Sequence, residues 1–397
     1  MHIAVVSLGA FGHVNPTLSV VTELVRRGVR VTYFTTENFR NIVEPTGADF
    51  VPVKSWMAEN DKHNEDKKDG QPEENVAAVV PFLFLNEAGA YIDDILAVLE
   101  KDKPDAIMHD FAGIAGTMAA DILKVPNIMI YTSYPSNESY SVAESFESVP
   151  ADHPLRIAAA QIAQGYAEKY GCRNMTVKEI FDGQGDLNLV MMQKRLVPNN
   201  ESFGDNFVFT GVQIGKRTAF GSWKAPDNGK PLLYSSLGTA FNNWPEYYPI
   251  LFDAVRDLNI NVFAALGAID PASLKDIPAN VEVAQMVPQL DILSQASVFI
   301  THAGMGGTGE AIYYGVPMIA IPQMDEQAIT ARQIEKTGLG VAFLDKNAIT
   351  SEKLKAAIIK LLEDPSYKNT ADDFSADMKS LGGSKASADA IMQFLKK

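Results

Sequence analysis

A chain of 397 residues is longer than one hydrophobic core of roughly 250–300 residues sustains, so two domains are expected. Its 46% hydrophobic and 21% charged residues are the proportions of a soluble globular protein, which excludes a disordered or fibrous chain. With 34 Lys and Arg against 49 Asp and Glu, the formal charge of −15 repels phosphate backbones and anionic lipid, so neither nucleic acid nor a membrane is an expected partner.

The chain opens directly on an apolar run, Ile3–Leu8, with no basic segment or cleavage site ahead of it, and no stretch of ~18 apolar residues occurs further on. The lone cysteine, Cys172, can form neither an internal disulfide nor a zinc cluster, and the expected compartment is the reducing cytoplasm. Strand-like runs come next at Val29–Thr35, Phe50–Val53, Ala106–Met108, Ile128–Thr132 and Leu187–Met192. Helical periodicity fills Thr17–Arg27, Val76–Glu100, Gly113–Leu123 and Leu155–Lys169. The polar, charged segment 58–75 reads as a surface loop, either a tolerated insertion or a flap over a binding site. After the aperiodic, Gly-rich stretch 211–229, strand runs resume at Leu232–Leu237, Val262–Ala265, Val281–Ala284, Val298–Thr301, Met318–Ile321 and Val341–Leu344. Alternating apolar runs and helices specify an α/β protein. The division is an N-terminal domain 1–212, a linker 213–230, a second domain 231–380, and a terminal helix 381–397 able to pack back on the first domain. Two such halves offer a cleft for a small ligand.

Chemistry-bearing residues gather where strands run into helices. His13 comes after Gly9-Ala10-Phe11-Gly12 at the carboxyl end of the first strand and the amino end of a helix, where a neutral imidazole is favoured and can accept a proton; it can equally serve as a helix cap. Asp110 ends a second strand and can orient that imidazole or simply cap the helix beyond Gly113. His302-Ala303-Gly304-Met305-Gly306-Gly307-Thr308-Gly309-Glu310 places closely spaced glycines before a helix, suiting a diphosphate or a tight turn. Ser235, Ser236 and Thr239 add hydroxyls at another strand end, able to face the same anion. With no Asp-x-Asp, no His-x-x-x-His and six scattered histidines, no metal site is expected, and no Gly-x-Ser-x-Gly elbow points to a serine hydrolase.

Gly12-His13-Val14-Asn15-Pro16, Ser236-Leu237-Gly238-Thr239 and the stretch from Gln285 to Gln327 resemble the nucleotide-sugar glycosyltransferases of the two-domain B fold, specifically the bacterial macrolide and flavonoid enzymes. The resemblance covers nearly the whole chain and implies two Rossmann-like, doubly wound parallel-sheet domains facing across a cleft. It implies His13 as the base that deprotonates an acceptor hydroxyl and Asp110 as the carboxylate orienting it. His302, the amides of Gly304, Gly306 and Gly307, Thr308, Ser236 and Thr239 would hold the donor diphosphate, and Glu310 the ribose hydroxyls. Gln285, Met286 and Val287 would flank the base, and Glu326 with Gln327 the sugar, Glu326 standing where many relatives have Asp. Met286 replaces the tryptophan that stacks on uracil in many relatives, which leaves uridine versus thymidine diphosphate open.

The reaction this resemblance implies is an inverting, metal-independent transfer of a hexose, glucose first, from UDP-glucose or a related nucleotide sugar. The acceptor is a hydroxylated hydrophobic small molecule, a flavonoid or phenol or a macrolide. The sugar nucleotide is a co-substrate and no cofactor is expected. The alternatives are a UDP-sugar epimerase of the same fold and a non-catalytic nucleotide-sugar-binding protein. Phe82, Tyr134 and Phe146 are candidate acceptor-pocket liners or ordinary core aromatics, and a monomer or weak dimer is expected.

Overall fold

The computed structural model describes residues 1–61, 76–215, 221–238 and 244–396. Of the sequence expectations, residue Thr239 and most of the loop at 58–75 therefore lie outside the described residues. The chain forms two compact units: Met1–Gln213 together with Gly382–Lys397, and Ile214–Leu381.

The first unit is built on seven strands: β1 (His2–Val6), β2 (Arg30–Thr36), β3 (Asp49–Val53), β4 (Ala106–Asp110), β5 (Asn127–Tyr131), β6 (Leu187–Val190) and β7 (Phe207–Phe209). They lie in the order β3-β2-β1-β4-β5-β6-β7, every neighbouring pair parallel. All five residues of β1 are buried, as a central parallel strand covered on both faces requires. Side-chain alternation splits them: Ala4 and Val6 join Phe34 and Ile107 under the helices Val76–Leu99 and Ile114–Leu123. Ile3 and Val5 join Met108 and Ile128 under the helices Phe11–Arg26 and Gly383–Phe394. Each such aliphatic side chain contributes roughly 1.5–3 kcal/mol on burial.

The second unit carries β8 (Leu232–Ser236), β9 (Asn261–Ala265), β10 (Val281–Ala284), β11 (Val298–Thr301), β12 (Met318–Ala320) and β13 (Gly340–Ala342), ordered β10-β9-β8-β11-β12-β13 and again all parallel. In each sheet the order reverses beside the first strand, between β1 and β4 and between β8 and β11. Such a switch point opens a crevice at the strands' carboxyl ends, where open α/β sheets bind ligands.

Twelve of these strands fall within two residues of the apolar runs; the three-residue β7, at the sheet edge, is the addition. One helix departs more. Periodicity suggested a helix beginning at Thr17, but the helix starts at Phe11 and carries Pro16 inside it. The proline ring removes the N–H that would bond the Gly12 carbonyl and crowds that carbonyl, a local cost confined to the opening turns. The early start places His13 in the first helical turn.

Candidate active site

The turn between β1 and the helix Phe11–Arg26 is closed by Ala10 N–H donating to the Leu8 carbonyl at 2.7 Å. Gly9 permits the approach of the next strand's end, since a Cβ there would lie 2.2 Å from Thr36 Oγ1. On the adjacent strand β4, Asp110 is wholly buried and uses both oxygens. Oδ1 accepts from the backbone N–H of Ala112 at 3.0 Å and of Gly113 at 2.9 Å, while Oδ2 pairs with His13 Nδ1 at 2.5 Å. The carboxylate does not cap the helix, whose N-cap is Gly113 with no side-chain cap; it closes the turn ahead of that helix and pairs with the imidazole at once. Burial by itself would raise the Asp110 carboxyl; the His13 charge and hydrogen bond, with the Gly113 amide, outweigh it and hold the carboxyl below its ordinary value. An ionised Asp110 accepts, so His13 Nδ1 carries the proton and the lone pair of the neutral ring sits on Nε2.

His109, the neighbour of Asp110, plays a different part. Its ring is buried on Gly116, with Nδ1 2.8 Å from the Asp110 carbonyl and Nε2 3.2 Å from Thr117 Oγ1. Burial lowers its pKa, against hydrogen bonds to the Asp110 backbone and to Asn127, whose side chain lies 2.7 Å from Nε2. Gly116 lies inside the helix Ile114–Leu123, where alanine ordinarily gains up to ~1 kcal/mol of helix propensity. Here a Cβ would stand 2.7 Å from His109 Cβ and Cγ. Gly116→Ala is therefore expected to destabilise the protein by about 1–3 kcal/mol in denaturant unfolding, against the propensity scale; a gain in stability would show that His109 yields freely.

A cluster of aromatic rings packs beside His13. Phe111 meets the imidazole edge-on at 5.7 Å between centroids, Phe84 and Phe181 lie 6.0 and 5.9 Å from Phe111, and Phe146 stacks on Phe181 at 3.7 Å. Asp182 fixes this cluster: it accepts from Ser141 Oγ at 2.5 Å and from the amides of Val142 and Ala143 at 3.1 Å, holding the turn that delivers Phe146. Of the three suggested liners, Phe146 packs in this cluster, stacked on the core residue Phe181. Phe82 packs edge-on against Trp56 at 5.9 Å, and Tyr134 is buried against Tyr140. Phe84, in the run Phe82-Leu83-Phe84, was legible as a pocket liner or a core residue, whereas Phe111 was given no role although it directly follows Asp110 and so leaves the same strand end.

In the second unit, Ser236 and His302 sit at the carboxyl ends of the central strands β8 and β11. Strand alternation sends Ser235 the other way, into a 2.7 Å hydrogen bond with the buried Tyr247 hydroxyl, which removes it from the expected anion-facing set. After His302, Ala303 holds a left-handed φ of 62°, a strain of order 1–3 kcal/mol, with its N–H donating to Thr301 Oγ1 at 3.1 Å. That bend starts the helix Met305–Tyr314 at once, so the N–H groups of Met305, Gly306 and Gly307 fall in its first turn, where no intrahelical acceptor exists.

The glycines have a second function beyond exposing amides. A Cβ on Gly304 would lie 2.3 Å from His302 Nε2 and one on Gly238 3.0 Å from His302 Cε1, so the two glycines are the slot for the imidazole. Burial, opposed by the Ser236 backbone, pulls the pKa of His302 down to about 4, leaving it neutral near pH 7. Among the described residues His302 Nδ1 and Thr308 Oγ1 are buried there without hydrogen-bond partners, a cost of roughly 1–3 kcal/mol each unless a ligand relieves it.

Glu310, one helical turn further on, is buried, and Gln289 donates to its Oε2 at 2.6 Å. Gln289 was not singled out in the sequence. Its position just before an apolar helix carried no chemical signal. Met286 is 44% exposed at the end of β10, and the Val287 carbonyl accepts from Gln289 N–H at 2.9 Å. Gln285 extends to the Ile269 carbonyl at 3.3 Å. Gln327 is buried, its Oε1 accepting from Gln323 N–H at 2.8 Å, and Glu326 is exposed beside it. Among the described residues no cluster of three or more His, Cys, Asp or Glu is arranged to hold a metal ion, and no helix is long and apolar enough to cross a membrane.

Residues 249–389 match the family described as erythromycin biosynthesis protein CIII-like, C-terminal domain. The NDP-glycosyltransferase YjiC of Bacillus licheniformis is 35% identical over 398 residues, covering 99% of this chain and 98% of that protein. The oleandomycin glycosyltransferase of Streptomyces antibioticus is 31% identical over 398 residues, covering 98% and 90%. Among solved structures, the glycotransferase of kitacinnamycin superposes with a TM-score of 0.86 at 28% identity, covering 99% of this chain and 98% of that one.

Proposed function

The chain belongs to the bacterial macrolide-type nucleotide-sugar glycosyltransferases, with their two Rossmann-like units, and from that premise we propose that it moves a hexose, glucose first, from a uridine diphosphate donor to a hydroxyl of a hydrophobic small molecule. The observation that carries the acceptor chemistry is the 2.5 Å contact between His13 Nδ1 and the buried, ionised Asp110. His13 Nε2 takes the proton of the acceptor hydroxyl as that oxygen bonds to the anomeric carbon. Asp110 keeps its charge and stabilises the imidazolium that forms. The bond from the anomeric carbon to the diphosphate oxygen breaks on the opposite side, the electron pair leaves with the diphosphate, and the anomeric centre inverts.

Negative charge then grows on the leaving diphosphate. The amides of Met305–Gly307, the neutral His302 and Thr308 provide hydrogen bonds that stabilise it without a cation, and two atoms buried there without partners among the described residues support a ligand at this turn. The aromatic cluster beside His13 suits an apolar, ring-bearing acceptor.

The test is a mass-spectrometric screen of UDP-glucose, UDP-galactose and dTDP-glucose against phenols and macrolides, with the anomeric configuration of the product read by NMR. A hexose adduct of inverted configuration, formed at the same rate with EDTA present, is expected. A rate abolished by EDTA and restored by magnesium would refute the metal-free mechanism. Isomerised sugar nucleotide formed without acceptor would replace transfer by epimerisation.

A further inference from the structure

We propose that Tyr234 is a positioning residue for the donor's ribose, acting through Gln289 on Glu310. The proposal rests on Glu310 being the residue that holds the ribose hydroxyls.

Glu310 lies buried within the helix Met305–Tyr314, where an ionised carboxylate must be hydrogen bonded to persist. Gln289, the first residue of the short helix Gln289–Leu293, supplies that bond through Nε2 at 2.6 Å. A glutamine amide has a donor end and an acceptor end, and only the donor end supports a carboxylate; turned around, its oxygen would face the Glu310 oxygen. Tyr234 settles the orientation. Its hydroxyl donates to Gln289 Oε1 at 3.0 Å, so the oxygen end is occupied and the amide nitrogen is directed at Glu310.

The phenol is held in place to do this. Tyr234 is fully buried on the central strand β8 and stacks on Phe299 of β11, the rings 4.9 Å apart and 7° from parallel. Ser236, two residues along the same strand, presents its side chain on the same face. The central strand and the residue assigned to the ribose are thereby joined by one relay, Tyr234–Gln289–Glu310. A carboxylate fixed in this way can accept from both hydroxyls of a vicinal diol, which a ribonucleotide has and a 2′-deoxyribonucleotide lacks. The relay thus favours ribonucleoside diphosphate donors at the step where the pinned carboxylate meets the 2′-hydroxyl.

The experiment is calorimetric titration of the full chain with UDP and with 2′-deoxy-UDP, for the native protein and Tyr234→Phe. The native protein should bind UDP roughly tenfold tighter than its 2′-deoxy analogue, the worth of about one hydrogen bond to a charged group. Tyr234→Phe should lose most of that margin by weakening UDP, with 2′-deoxy-UDP scarcely changed and kcat at saturating donor within about twofold. Equal weakening of both nucleotides, as a merely structural role predicts, would overturn the proposal, as would an unchanged margin. Should Tyr234→Phe fail to fold, Gln289→Leu breaks the relay from a half-buried position and is read by the same two outcomes. If the native protein binds no UDP, the donor-site reading itself falls. If it binds UDP and both variants keep the margin, only the role of Tyr234 falls.

Discussion

Turnover should drop by at least about 10²-fold when His13 is replaced by alanine, with the affinity for UDP nearly unchanged. The size comes from the chemistry: an acceptor hydroxyl is a weak nucleophile unless its proton leaves as the new bond forms, and Asp110 is buried with both oxygens engaged, so it cannot substitute. The unchanged affinity comes from the architecture, because His302, Thr308, Gln289 and Glu310 all belong to Ile214–Leu381 while His13 belongs to the other unit. Steady-state kinetics with a phenolic acceptor, paired with nucleotide calorimetry, separates the two quantities. Near-native kcat in the variant would remove His13 from the chemistry. An equal loss of UDP binding would recast it as a donor ligand.

The second large effect concerns a residue without a side chain. Gly304→Ala should lower kcat/KM for the donor by roughly 10–100-fold, the worth of one hydrogen bond to a charged group, at about 1.5–3 kcal/mol. Gly304 has an ordinary φ of −65°, so alanine meets no backbone penalty; the conflict is wholly with His302, whose Nε2 would be 2.3 Å away. Alanine at 304 therefore displaces the imidazole from a slot that Gly238 also borders, where a Cβ would likewise stand only 3.0 Å from the ring. Gly306→Ala is the control. Among the described residues no atom outside its own helix lies within 4 Å of its Cβ position, so Gly306→Ala should leave the His302 ring in place and cost less than Gly304→Ala. If both variants behave alike, the slot does not hold the ring.

Much of this was legible in the residues because parallel sheets write themselves plainly: each doubly buried strand is a short Val/Ile/Leu/Ala run, and twelve of thirteen were placed within two residues. β7 escaped because three residues at a sheet edge, Phe207-Val208-Phe209, are too few to show a period. His13 and Asp110 were legible by position, each ending a strand, but their mutual distance was not, since 97 residues separate them. The glycines illustrate the limit best. Gly304 was read for its amide, which needs only local sequence, whereas the packing of Gly238 against a histidine 64 positions later exists only once β8 and β11 lie side by side. The Tyr234–Gln289–Glu310 relay was invisible for the same reason. Ser235 was a different kind of error, since period-2 alternation alone sends it to the face opposite Ser236.

The chain leaves the first unit after Gln213 and rejoins it at Gly382, where Gly383 N–H donates to the Thr210 carbonyl at 2.9 Å and Arg27, at the end of the helix that carries His13, pairs with Asp389. The second unit is therefore an insertion between two stretches of one core, because Ala388 and Ile391 pack with Val20 and Leu24. Anyone recombining such enzymes to marry one acceptor specificity to another donor specificity needs two crossover points, near 213/214 and 381/382. A single splice in the middle would graft a foreign helix onto the scaffold that carries His13.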